Sequence, residues 1–144
     1  MSDGVIALAS DHAGFDLKDA VQAELARLGR RVLDLGTDGT QSVDYPDFGR
    51  AVAEAVADGR AALGVIVCGT GIGISIAANR NPKVRAALCC DSTMARLSRQ
   101  HNDANVLALG ARLIGTEVAL DCLKVFLETE FEGGRHARRV AKLG

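Results

Sequence analysis

The chain has 144 residues, of which 48% are hydrophobic and only 3% are aromatic. This length is typical of one domain, and the apolar content is sufficient for a single core built of aliphatic side chains. Seventeen basic and eighteen acidic residues give a net charge of −1. We therefore expect no long-range attraction to nucleic acid or to an anionic membrane.

Two sequence patterns alternate along the chain. Short runs of β-branched and aliphatic residues predict five strands, at 5–10, 31–36, 63–69, 84–90 and 105–110. Segments with apolar residues at helical spacing follow these runs. Continuous apolar strands that alternate with helices predict a parallel sheet covered on both faces, which is a three-layer, doubly wound α/β fold. For the strand order, which periodicity does not determine, we expect the common 2-1-3-4-5 arrangement.

The chain is predicted to have two parts. Residues 1–132 contain all five strand–helix units, and residues 133–144 form a basic helical tail after the Gly133-Gly134 break. In a helix, Arg135 and Arg139 share one face and could bind one phosphate. The alternative is that they are solvated residues that complement a helix dipole. Because the two glycines form a hinge, the tail could reach a neighbouring subunit.

No apolar stretch approaches the roughly 20 residues of a membrane-spanning helix, and no signal peptide precedes the first strand. We therefore expect a cytoplasmic protein without a membrane partner. The cysteines lack CxxC spacing, so neither disulfides nor a structural zinc is expected. The histidines are not spaced i,i+4 and acidic residues do not cluster, so we expect no metal and no cofactor. The cysteines are Cys68, Cys89, Cys90 and Cys122, and the histidines are His12, His101 and His136.

Polar side chains follow several predicted strands, at the edge where ligands bind in open parallel sheets. Asp11 and His12 follow the first strand, and Cys68 and Arg112 follow the third and fifth strands. We expect these side chains to lie at one edge of the sheet. Asp11 has the alternative role of a helix cap, which would leave His12 as a bystander.

Residues 66–75, I-V-C-G-T-G-I-G-I-S, place a glycine-rich loop between a strand and a helix. Such a loop can direct backbone N–H groups at an anion, with Thr70 adding a hydroxyl. It lacks the Walker lysine and departs from G-x-G-x-x-G, so a nucleotide site is disfavoured. A tight turn is the alternative explanation, although it accounts less well for three glycines. The loop residues concerned are Gly69, Gly71, Ile72 and Gly73.

Cys68 lies beside this loop, where the start of a helix would stabilise a thiolate. The thiolate could be a nucleophile with His12 or His101 as partner, or a base that removes a carbon-bound proton while the loop holds the enolate oxygen. A buried, inert cysteine is the alternative. His101 precedes the fifth strand, where it could serve a substrate or only complement a helix dipole. Asn102 beside it suits a turn or a sugar hydroxyl.

Five segments together resemble the type B ribose-5-phosphate isomerases, which are relatives of the galactose-6-phosphate isomerase subunits. The resemblance covers nearly the whole chain. It implies interconversion of ribose 5-phosphate and ribulose 5-phosphate through a cis-enediolate, without metal, in a Rossmann-like homodimer, or a tetramer of such dimers, whose active sites use both subunits. The segments are A-S-D-H-A-G-F (9–15), V-D-Y-P-D (43–47), I-V-C-G-T-G-I-G-I-S-I-A-A-N (66–79), L-S-R-Q-H-N-D-A-N-V-L-A-L-G-A-R (97–112) and E-G-G-R-H (132–136).

The resemblance also implies roles for individual residues. Cys68 stands at the position of the catalytic base with Thr70 beside it, and His101 stands at the position assigned to sugar ring opening. The same chemistry on a hexose 6-phosphate such as allose or galactose 6-phosphate remains an alternative, as does a non-catalytic sugar-phosphate binding module. The positions that match substrate contacts are Asp11, His12, Gly69, Gly71, Ile72, Gly73 and Asn102, with Arg112 of one chain and Arg135 and Arg139 of the partner as phosphate ligands.

Overall fold

The structure, a computed structural model, describes residues 4–144. Within these residues, helices and strands alternate along the chain, and one more helix follows at the end. The elements are β1 (Ile6–Ser10), α1 (Phe15–Arg27), β2 (Val32–Asp34), α2 (Tyr45–Ala57), β3 (Leu63–Cys68), α3 (Ile72–Ala78), β4 (Ala86–Leu88), α4 (Ser92–Asn102), β5 (Val106–Gly110), α5 (Thr116–Glu128) and α6 (Arg135–Ala141). No helix of this part of the chain is both long and apolar enough to cross a lipid bilayer.

All strand pairs are parallel, which confirms the predicted three-layer α/β fold, but the expected strand order is wrong. The order is β2-β1-β3-β5-β4, so β5 and not β4 lies next to β3. The five residues of β5 are all buried, whereas the three residues of β4 are only half-buried. A long apolar strand favours the interior of a sheet and a short, partly exposed strand suits its edge.

The side-chain amide of Asn79 protects this edge. It donates a hydrogen bond to the carbonyl of Ala86 at 3.0 Å and accepts one from the N–H of the same residue at 2.7 Å. Unpaired backbone groups on an edge strand are a template for unwanted strand pairing. Asn79 therefore occupies backbone groups of β4 that another strand would otherwise bind.

Successive strand residues pack alternately into two separate hydrophobic cores, one on each face of the sheet. In β5, Leu107 and Leu109 face the layer formed mainly by α1 and α5, while Val106 and Ala108 face the layer of α2 and α3. This alternation follows from the two-residue period of a strand. The sheet is thus buried on both faces, and loops at its two ends remain for binding.

Helix α4 has defined ends that determine where its last residues lie. Asp91 accepts a hydrogen bond from the N–H of Met94 at 2.8 Å, and Asp103, at φ 47°, ends the helix. The helix starts after the carboxyl end of β4 and leads back to the start of β5. Its last turn, with His101 and Asn102, therefore lies at the amino end of the sheet.

An ion pair between a buried lysine and a partly exposed aspartate supports the chain after β2. The Lys18 side chain is 2% exposed, and its Nζ lies 2.8 Å from Asp34 Oδ1. The N–H of Gly36 donates to the same oxygen at 3.0 Å. Partial burial disfavours the charged carboxyl, but the hydrogen bonds from Lys18 and Gly36 nevertheless hold the pKa of Asp34 below its usual range. The pair ties α1 to the carboxyl end of the sheet.

Candidate active site

Cys68 is the last residue of β3 and is almost fully buried. The N–H of Gly71 donates a hydrogen bond to its Sγ at 3.2 Å. An N–H directed at sulfur stabilises negative charge there, which a thiolate base requires. The loop therefore holds the thiol itself.

The loop after Cys68 is both a tight turn and a set of directed N–H groups. Gly71 has φ +77°, and a Cβ at this position would lie 2.5 Å from Leu88 Cδ1, so the turn requires glycine here. Thr70 Oγ1 accepts a hydrogen bond from the N–H of Ile72 at 3.2 Å. Two N–H groups of the loop thus already bind atoms of the chain, and the Thr70 hydroxyl still has a proton to donate.

Arg112 lies against the same loop. Its N–H donates to the carbonyl of Gly69 at 2.8 Å, and a Cβ on Gly69 would be 3.2 Å from Arg112 Nη1. The side chain therefore passes over a glycine that leaves room for it, and it is exposed. Its guanidinium lies at the rim of the Cys68 loop, where it is open to an anion.

Asp11 and His12 lie at the carboxyl end of β1, on the same side of the sheet. Asp11 Oδ1 accepts a hydrogen bond from the N–H of Gly14 at 3.0 Å, so it supports the turn into α1. His12 Nδ1 accepts one from the N–H of Val43 at 3.1 Å. The neutral imidazole then carries its proton on Nε2. His12 therefore joins β1 to the loop at 43–47, and its Nε2 can donate a hydrogen bond.

His101 and Asn102 lie at the other end of the sheet. They are the last residues of α4, and β5 begins just after them at Val106. Residues 64–68 of β3 are paired in register with 106–110 of β5. At about 3.3 Å per residue, the two ends of these strands are about 13 Å apart. Within one chain, His101 is therefore not a neighbour of Cys68.

The basic tail packs on α4 of its own chain. The N–H of Glu132 donates to the carbonyl of Gln100 at 3.1 Å, and the rings of His101 and His136 stack with their centroids 4.3 Å apart. Arg135, exposed, is the first residue of α6. A pocket of about 270 Å³ is lined by His101, Asn102, His136, Arg139, Val140 and Leu143. The tail therefore lies with His101, not with Cys68.

Residues 6–143 match the sequence model of a family described as Ribose/Galactose Isomerase. The chain belongs to this family. The match confirms the resemblance inferred from the motifs and makes the chain an isomerase.

Individual relatives agree with this assignment. Ribose-5-phosphate isomerase B of Escherichia coli is 47% identical over 135 residues, which are 94% of this chain and 91% of that protein. The structure of ribose-5-phosphate isomerase B from Clostridium thermocellum superposes with a TM-score of 0.96 at 55% identity, covering 97% and 95% of the two chains. D-erythrulose-4-phosphate isomerase of Pectobacterium atrosepticum is 42% identical over 140 residues, or 96% and 92% of the two chains.

The sequence analysis assigned no role at the site to His136. In the structure of this isomerase the residue is buried, with a relative exposure of 6%. Its Nε2 lies 3.5 Å from Glu132 Oε1 without a hydrogen bond. Burial and then the charge of Arg135 lower the pKa of His136. The i,i+4 spacing of Glu132 and His136 was the signal in the sequence. It was not used, because the spacing of each histidine was compared only with the positions of the other histidines.

Two imidazoles and one carboxylate form a cluster, from His101, His136 and Glu132. The nitrogen and oxygen atoms that could bind a metal ion lie within 4.8 Å of one another. The planes of the two imidazoles are only 14° apart. A metal ion lies in the ring plane of each histidine that binds it, because the lone pair of the nitrogen lies in that plane. Two stacked, parallel rings do not direct their lone pairs at one point, so this arrangement is better suited to ring packing than to metal coordination.

Proposed function

We propose that the protein interconverts ribose 5-phosphate and ribulose 5-phosphate through a cis-enediolate, with Cys68 as the base. The observation that carries the proposal is the Cys68 thiol, which accepts a backbone N–H beside Thr70 and Arg112 in a chain of the Ribose/Galactose Isomerase family. Two relatives named ribose-5-phosphate isomerase B, at 47% and 55% identity over nearly the whole chain, support this substrate.

The proton transfer needs one base and one oxyanion site. The Cys68 thiolate removes the proton from C2 of the open-chain aldose, the electron pair moves to the carbonyl oxygen, and the proton returns at C1. One hydroxyl proton passes from O2 to O1, so the product is the ketose. We assign the stabilisation of the enediolate oxygens to the Thr70 hydroxyl, which still has a proton to donate, and to loop N–H groups other than the two that bind Cys68 Sγ and Thr70 Oγ1.

Ring opening is a separate step with its own catalytic group. Ribose 5-phosphate is a cyclic hemiacetal, and opening it moves one proton from the anomeric hydroxyl to the ring oxygen while the C1–O bond breaks. An imidazole can both accept and donate a proton, and we assign this transfer to His101. Asn102 and Arg139 line the same pocket and are suited to a sugar hydroxyl and the phosphate.

We infer that each active site combines two chains. The ring oxygen and C2 of one sugar are two bonds apart, whereas Cys68 and His101 of one chain lie at opposite ends of the sheet. In a homodimer, the His101 group and residues 133–144 of one chain would complete the Cys68 loop of its partner. Ile72 and Ile76, one turn apart on α3 beside the loop and 50% and 55% exposed, offer an apolar surface for a second subunit.

The deciding experiment replaces Cys68 with alanine. We expect kcat for ribose 5-phosphate to fall at least about 10³-fold while the Kd of the substrate stays within a few-fold, because the base is lost and the phosphate contacts remain. Cys90→Ala is the matched control, because Cys90 is an exposed thiol after β4. A Cys68→Ala protein with normal turnover would exclude the base assignment and favour a binding module.

The substrate itself is tested by comparing kcat/KM for phosphorylated aldoses of four, five and six carbons. The relative named D-erythrulose-4-phosphate isomerase is of similar length to this chain and 42% identical to it, so a four-carbon substrate is included. We expect the pentose phosphate to have the highest kcat/KM. A clear preference for allose or galactose 6-phosphate would mean that this hexose phosphate, and not ribose 5-phosphate, is the substrate.

We also propose that the protein acts in the cytoplasm, the location that fits this sugar-phosphate chemistry.

A further inference from the structure

The contact between His101 and His136 joins two helices that are distant in sequence. Gly133 and Gly134 have φ values of +68° and +55°, which lets the chain turn sharply before α6. The turn brings α6 back onto α4 of the same chain and places the buried His136 ring flat against the ring of His101. Hence the orientation of His101 depends on a residue outside its own helix.

Stacking restricts His101 without blocking it. An imidazole at a helix end can rotate about two side-chain bonds, and a ring stacked on one of its faces hinders rotations that would tilt the two planes apart. His101 is half-buried and lines the pocket, so its edge, which carries the nitrogens, stays accessible. A proton shuttle needs this combination of fixed orientation and free nitrogen.

The stacked partner must stay uncharged for this arrangement to work, because two imidazolium rings face to face would repel each other. Burial and the charge of Arg135 both lower the pKa of His136. His136 Nε2 also has no hydrogen-bond partner in the part of the chain that the structure describes. Both observations favour the uncharged form of the His136 ring.

We propose that His136 is a positioning residue, whose ring holds the imidazole of His101 in the orientation that ring opening requires. This inference rests on the proposed function, in which His101 carries the ring-opening proton. It assigns His136 no contact with the substrate. It also explains why an imidazole is buried at the start of a helix whose other basic residues are exposed.

The test is a double-mutant cycle between positions 101 and 136, read by turnover of ribose 5-phosphate. We expect His136→Leu, which fills the space without an aromatic face, to lower kcat about tenfold, because a small misplacement of a catalytic group is costly. His136→Phe keeps a stacking ring and should stay within about threefold of wild type. Arg138→Ala, at an exposed neighbour on α6, serves as the control.

The cycle then repeats His136→Leu in a His101→Asn background, where residual turnover uses sugar that opens without help. If His136 acts only through His101, the second substitution should change kcat less than about twofold. A further tenfold loss, or equal losses for Leu and Phe, would show a merely structural role and overturn the inference. Normal turnover of His101→Asn alone would instead refute the ring-opening role in the proposed function. Thermal unfolding of each variant shows that the compared proteins are folded.

Discussion

The two ends of the sheet hold their functional groups by different means. At the carboxyl end, Cys68 and Asp11 are buried and receive hydrogen bonds from backbone N–H groups. At the amino end, Asn102 and Arg139 are exposed on helices, and His101 is held mainly by one ring. A base that attacks a carbon-bound proton needs a fixed position, whereas groups that bind phosphate and hydroxyls tolerate motion. In the proposed two-chain site, each end supplies one half, and the two halves have different requirements for rigidity.

Mixed dimers give the sharpest test of this division. If the proposed homodimer shares its sites, Cys68→Ala and His101→Asn each impair both sites of their own homodimer, but a mixed dimer contains one site with neither change. We expect subunit exchange between the two inactive proteins to restore about a quarter of wild-type activity, since half of the dimers are mixed and each has one intact site. The measurement is the rate of ribulose 5-phosphate formation after exchange at equal protein concentrations.

The matched control mixes Cys68→Ala with Thr70→Val, two changes at the same end of the sheet. No mixed dimer of this pair contains an intact site, so activity should stay at the level of the separate proteins. No recovery in the first mixture, although the subunits exchange, would place Cys68 and His101 of one site in one chain and contradict the shared site. Recovery in the control would instead show that Cys68 and Thr70 of one chain belong to different sites.

The rates of thiol alkylation compare the cysteine at the carboxyl end of the sheet with the cysteines of the interior. Burial raises the pKa of Cys89 to about 12 and that of Cys122 to about 11. At pH 8 both are almost fully protonated, so alkylation should be at least about 10²-fold slower than at the exposed Cys90 and should accelerate as pH rises. Mass spectrometry should show that loss of activity follows modification of Cys68 and that ribose 5-phosphate protects it. Inactivation with Cys68 unmodified would contradict its role.

The ion pair behind the carboxyl end is expected to contribute to stability. Asp34→Ala leaves the charge of Lys18 buried without its partner, and because Asp34 is partly exposed we expect a loss of about 2 kcal/mol in unfolding free energy. Asp58→Ala, which removes an exposed partner of Arg60, should cost much less, because solvent screens this pair. Denaturant unfolding at one protein concentration measures both, and equal losses would show that burial of Lys18 adds nothing.

The sequence was sufficient for the fold class and for one end of the site. Apolar runs and helical spacing predicted the parallel sheet, and parallel strands necessarily bring Asp11, Cys68 and Arg112 to one edge. The strand order was wrong because it depends on how completely neighbouring elements cover β4 and β5, which is a tertiary property. Pairing of β5 with β3 became visible only in the sheet register.

The other end of the site was less predictable. His101 and Asn102 were identified from a turn and a resemblance, but the distance between His101 and Cys68 follows only from the direction of α4. His136 was missed because its stacking on His101 is a contact between α4 and α6, and its i,i+4 spacing from Glu132 points to a nearby carboxylate but not to that stack. The catalytic and binding roles themselves remain predictions.

The smallest effect is expected at the exposed end of the tail. Arg139→Met removes a guanidinium that lines the pocket with His101 while keeping the length of the side chain, so we expect the KM for ribose 5-phosphate to rise about tenfold with little change in kcat. Arg138→Met is the matched control, since Arg138 precedes it on α6 and is not among the pocket residues. A point substitution is preferable to truncation after Glu132, because truncation would also remove His136 and disturb His101. If Arg139→Met left KM unchanged, the phosphate would have to be held by Arg112 and Arg135 without Arg139, and the assignment of Arg139 as a phosphate ligand would be wrong.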